Sequence, residues 1–157
     1  MKTFLRNILW GVALIALQTT AMRLISIEGI MPDVVALWIV VVALREGQIA
    51  GTVAGFVSGL ILDVISGDFL GIGALAKTVC GFLAGYFYDE FKSSEVFGTY
   101  RFFFAVIFSS LAHNIIFFVV YLQGTEIEFA RTIIQFGIGT TAYTSAVSIV
   151  PLLWKRT

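Results

Sequence analysis

The sequence predicts an all-α integral membrane protein, a six-transmembrane-helix bundle built as one polytopic domain of 157 residues. Three observations carry this. The chain is 59% hydrophobic and 13% charged, against roughly 45–50% and 25% in soluble domains. Its apolar stretches are continuous and do not alternate as transmembrane barrel strands must. Short polar loops separate the stretches, and helices satisfy every backbone group within lipid. Ten Lys and Arg against ten Asp and Glu give a net charge of zero, so there is no basic field to hold nucleic acid. One Cys and one His exclude a disulfide framework and a zinc site within a single chain. No catalytic residue, cofactor site or metal site is expected.

The first span, residues 4–25, is built around the apolar run from Ile8 to Leu17, with Lys2 and Arg6 before it. The same pattern also fits a cleavable signal peptide, which would leave five spans. Pro32 and Asp33 open the second span, residues 30–44, which stops at Arg45-Glu46-Gly47. The third covers residues 49–65, with its turn at Ser66-Gly67-Asp68. The fourth covers 69–88 and is interrupted by Lys77. After the polar stretch Asp89 to Thr99 comes the Phe-rich fifth span, 100–122, and the sixth, 129–154, closes on Lys155-Arg156.

Charge orients the bundle. With the N-terminus inside, Lys2, Arg6, Arg45, Lys92, Arg101, Lys155 and Arg156 lie on the cytoplasmic side, against Arg23 and Arg131 outside. That excess predicts cytoplasmic N- and C-termini. Glu28, Asp33, Asp63, Asp68, Glu126 and Glu128 fall toward the outside. Trp10, Trp154, Tyr86, Tyr88 and Tyr100 sit near the inner interface and Tyr121 near the outer one. Trp38 is central in its span and is expected to pack between helices.

The third span carries Gly51, Gly55, Gly59 and Asp63 at intervals of four, beside Ala50, Ala54 and Ser58. Such spacing makes a small-residue groove on a helix, where another helix approaches closely. Packing within the bundle is favoured over dimerisation through this face. Gly81 and Gly85 repeat the theme in the fourth span, and Gly137, Thr141 and Ser145 in the sixth. Asp63 either is solvated by headgroups, orders the outer turn, or pairs with a neighbouring cation. Lys77 lies roughly 12 Å into a helix that begins near Phe69. An unpaired cation there costs about 2.5–3.5 kcal/mol on the insertion scale, so a contact with Asp63 or Asp33 is expected. His113 and Asn114 are expected to hydrogen-bond between helices, and Cys80 to act as a small apolar residue.

Pro32-Asp33, then Gly55 to Gly59, then Leu62-Asp63-Val64-Ile65-Ser66-Gly67 and Leu70-Gly71 through Leu75 resemble the rod shape-determining protein MreD family. The specific portion runs from Pro32 to about Gly85. The resemblance implies a bacterial inner-membrane protein of the cell-elongation machinery that acts with the bitopic protein MreC. It further implies association with the RodA glycosyltransferase, its penicillin-binding transpeptidase and, indirectly, the MreB cytoskeleton. The family's six-helix fold is similar to the substrate-binding subunits of energy-coupling-factor transporters. The expected function is a non-enzymatic scaffold; the alternative is a substrate-capture subunit of a vitamin or small-molecule transporter.

Overall fold

The computed structural model describes residues 2–20, 30–67, 69–92, 96–97, 99–123 and 133–154. These residues form α1 (Lys2–Thr20), α2 (Val34–Glu46), α3 (Gln48–Ser66), α4 (Ile72–Gly85), α5 (Tyr100–Tyr121) and α6 (Gly139–Trp154). A 3-10 turn spans Glu90–Lys92, and a π-helical segment, Ile133–Ile138, runs directly into α6. No β-strand occurs among the described residues. Residues 21–29, 124–132 and 155–157, which carry several of the charges used to orient the chain, lie outside them.

The boundaries follow local chemistry. Asp33 caps α2, its side chain accepting the Ala36 N–H at 2.8 Å. Gly47 ends α2 with φ +94° and its N–H bonds the Ala43 carbonyl, so the helix runs past Arg45 and Glu46, beyond the predicted stop at Leu44. Gly67, at φ +73°, closes α3 with its N–H on the Asp63 carbonyl. These are conformations that glycine adopts without penalty.

The fourth helix differs most from expectation. Phe69 and Leu70 read as part of its apolar run, but they are exposed in a turn that Gly71 completes at φ +101°. The helix therefore starts at Ile72 and places Lys77 about 8 Å along it, not 12 Å. At 13 and 14 residues, α2 and α4 measure about 20 Å, well short of a hydrocarbon core about 30 Å thick. Among the described helices, α3 and α5 are long and apolar enough to cross a membrane.

The α3–α4 pair is the most extensive helix contact, and its glycines explain why. A Cβ on Gly51 would strike Ala43 of α2 and the Gly81 carbonyl of α4; one on Gly55 would strike the Lys77 carbonyl. One on Gly59 would lie 2.6 Å from the Ala74 Cα, and one on Gly85 would collide with Gln48. Each four-residue step along α3 is thus matched by a step back along α4, an antiparallel seam of backbone on backbone. Gln48 ties one end by donating to the Phe82 carbonyl at 3.0 Å. The Gly51, Gly55 and Gly59 face is consumed inside the bundle.

Helix α2 lies against this pair, with Val35, Ile39, Val40, Ala43 and Leu44 buried. It forms the core together with Cys80 and Ala84 of α4 and Phe102, Ala105 and Val106 of α5. Helix α1 packs on the outside. The half-buried Trp38 ring covers Gly11, where a Cβ would sit 2.9 Å from the indole, so Trp38 does lie between two helices.

Gly55→Leu is expected to destabilise the fold by about 3 kcal/mol, because the seam has no room for a side chain and overpacking strains both helices. Val53→Leu, on the exposed side of the same helix, is expected to have no effect. Thermal unfolding of the purified chain in detergent, followed by tryptophan fluorescence, measures both.

Candidate functional site

Close approach at Gly55 turns the backbone of Lys77 against α3 and leaves its side chain to run between α2 and α5. There Lys77 forms a buried salt bridge with Asp33. Of the two carboxylates proposed from sequence, Asp33 is the partner. His113 of α5 completes the cluster, its Nε2 lying 3.4 Å from the same Asp33 oxygen. The backbone N–H of Asp33 donates to the Thr144 hydroxyl of α6 at 3.0 Å. One residue at the head of α2 therefore joins α4, α5 and α6.

The entry to α2 is held from its other side as well. Gln18 of α1 donates to the Pro32 carbonyl at 3.2 Å and accepts the Val34 N–H at 3.0 Å. Pro32 is itself buried. The role of Gln18 has no sequence signal, because a single Gln near the end of an apolar stretch reads as an ordinary interfacial residue.

Asp63 is buried and does not meet Lys77. Its Oδ2 accepts the Gly71 N–H at 2.8 Å and the Ala74 N–H at 3.2 Å. The carboxylate thus caps α4 from the end of α3, where the exposed N–H groups and the helix dipole favour negative charge. Gly73 leaves space for it, since a Cβ there would collide with the carboxylate. Of the three sequence readings for Asp63, this is the ordering of the outer turn, extended beyond Gly67 to the first residues of α4.

Asn114 donates to the Thr141 hydroxyl at 2.9 Å, and Thr141 donates in turn to the Gly137 carbonyl at 2.8 Å. This joins α5 to the π segment and α6. Cys80 is fully buried within the apolar core. Among the described residues no cluster of His, Cys, Asp and Glu is arranged to hold a metal ion.

Two concavities flank these groups. A cleft of about 300 Å³ has Asp33, Asp63, Lys77, His113 and Asn114 among the residues of its wall. An apolar groove of about 420 Å³ runs between α1 and α3 over Trp38, lined by Gly11, Val12, Ala50, Ala54 and Val57. Sequence reasoning grouped Ala50 and Ala54 with the glycines. The structure separates them, because a rotation of 100° per residue puts the alanines on the neighbouring face.

A family model described as rod shape-determining protein MreD matches residues 1–155, essentially the whole chain. Comparison with curated proteins and with solved structures gives no match.

Lys77→Met is expected to destabilise the fold by about 3–5 kcal/mol, because it strands the Asp33 carboxylate in a buried site. Adding Asp33→Asn removes that charge while keeping a side chain able to cap α2, and is expected to restore most of the loss. Chemical unfolding of both single variants and the double variant gives the coupling; simply additive losses would show that the pair is not energetically linked.

Proposed function

The chain belongs to the rod shape-determining protein MreD family, and on that premise we propose that it is a non-enzymatic scaffold of the bacterial inner membrane, acting in cell elongation. In this reading all six helices insert as a bundle, with both termini in the cytoplasm. The short α2 and α4 complete their crossings through flanking residues. An MreC-like bitopic protein is the direct partner. The RodA glycosyltransferase and its penicillin-binding transpeptidase are engaged through that complex, and the MreB cytoskeleton indirectly.

The observation that carries this reading is the apolar groove between α1 and α3. In lipid there is no hydrophobic force between helices, so association depends on van der Waals packing, which small residues permit by letting backbones approach. The groove offers Ala50 and Ala54 for that purpose, flanked by the exposed Val12, Val53 and Val57, while Gly11 is already covered by Trp38. The glycine face, by contrast, is already occupied by α4, so a partner helix has to use the alanine side. Regulation then acts through the partner: this chain stabilises one conformation of MreC and so shifts the population of active synthase.

Ala54→Trp fills the groove without touching the α3–α4 seam. It is expected to reduce co-purification of an MreC-like protein at least tenfold, about 1.4 kcal/mol, and to turn rods into rounded cells. Phe104→Trp, on the exposed surface of α5, is the matched control and is expected to leave both unchanged. Normal recovery of the partner and normal rods with Ala54→Trp, at normal membrane levels, would overturn the groove as the docking face.

A further inference from the structure

The polar cleft serves no step of the scaffold reading, yet it is built from groups that are costly to bury. Lys77 is 5% exposed and lines it. Among the described residues its ammonium meets one acceptor, Asp33, while an ammonium carries three donors. Asn114, 4% exposed, uses its amide nitrogen on Thr141, which leaves its carbonyl oxygen as an acceptor. Asp63 commits Oδ2 to the head of α4, and its Oδ1 accepts no hydrogen bond from the described residues. Donors and acceptors therefore converge unpaired on one concavity. Such convergence in a largely apolar pocket marks a ligand site.

Charge narrows the ligand class. An anion placed on Lys77 would also press against the carboxylate of Asp33, with Asp63 on the same cleft. A cation seeking Asp33 finds that position occupied by Lys77. A neutral ligand meets neither repulsion. It must accept from an ammonium and donate to a carboxylate and an amide oxygen of the same cleft, and the hydroxyl group does both. Beside these groups the lining includes the apolar surface of Phe117 and Phe118 of α5 and of Phe136, faces suited to a ring bearing C–H groups. Phe136 belongs to the π-helical segment, a distortion found frequently at functional sites. The volume of about 300 Å³ lies at the lower end for ligand pockets, which suits a small ring.

We propose that this cleft binds a neutral, polyhydroxylated ring of the saccharide class, held by Lys77, Asn114 and Asp63 against the Phe117, Phe118 and Phe136 wall. The ring comes either from a free sugar or from the headgroup of a glycolipid, since both present the same hydroxyls. This site is separate from the α1–α3 groove, and it stands whether or not that groove docks a partner.

The test uses the full chain in phospholipid nanodiscs and three probes: glucose, octyl glucoside and, as an anionic control of similar chain length, octyl phosphate. Binding is read by calorimetry. Octyl glucoside is expected to bind with an affinity that falls at least tenfold in Asn114→Leu and in Thr140→Trp, the latter filling the cleft from α6. Both variants are first required to match the parent in insertion and thermal stability; if one fails this, the other carries the test. Competition by glucose identifies a free sugar as the ligand, and lack of competition identifies a lipid-borne headgroup. Either result supports the site. Absence of octyl glucoside binding, equal or tighter binding of octyl phosphate, or binding unchanged in a well-folded variant overturns it.

Discussion

The fold depends on backbone-to-backbone contact between α3 and α4. Glycine at 51, 55 and 59 removes the side chains that would hold the two helices apart, and Gly81 and Gly85 return the favour from α4. The register this fixes decides where every other residue of α4 can point. Lys77, with its carbonyl against Gly55, has no room on the α3 side, so its ammonium must be satisfied across the interior. A position chosen by packing thus becomes an electrostatic demand on α2.

Asp33 answers that demand while capping α2, and the coincidence gives it more than local importance. Its carboxylate serves the Ala36 N–H, Lys77 and His113, while its own N–H is held by Thr144. Helices α2, α4, α5 and α6 therefore share one polar node. A buried pair of this kind is weak evidence for stability compared with an apolar substitute, but losing one partner is severe. Its value lies in specificity: few arrangements of these helices bring one carboxylate within reach of so many donors. Asp63 does comparable work between consecutive helices, joining the end of α3 to the start of α4.

Much of this was legible in the sequence. The apolar run from Ile49 to Ile65 anticipated α3 to within a residue at each end, and the four-residue spacing from Gly51 to Asp63 marked the face along which another helix packs closely. The energetic cost of Lys77 required a partner, but residue spacing could not choose between Asp33 and Asp63, since that choice depends on which helix lies across the interior. The start of α4 was misplaced for a different reason. Phe69 and Leu70 are as apolar as any helical residue, and only the backbone angle at Gly71 shows that they belong to a turn. The alanine-lined groove was hidden because Ala50 and Ala54 immediately precede Gly51 and Gly55 in sequence but lie on another face. Family membership accounts for a role in rod shape; which surfaces perform it is a matter of geometry.

The shortness of α2 and α4 has an electrical meaning. Ala43 of α2 meets Gly51, and Ala74 of α4 meets Gly59, so both helices begin roughly level with Asp63, about one turn before α3 ends. In the insertion proposed above, the helical part of the layer is therefore shorter beside the Asp33–Lys77–His113 node than along the full-length α3 and α5, and the flanking residues of α2 and α4 complete the crossing. In a bilayer the surrounding lipid compresses toward such short helices at a cost of fractions of a kcal/mol per ångström. Charges beside them keep part of the hydration energy that a full hydrocarbon slab would remove. On that proposal the ion pair lies near the short end of two helices, where a modest local thinning of the membrane would take the place of a longer polar channel.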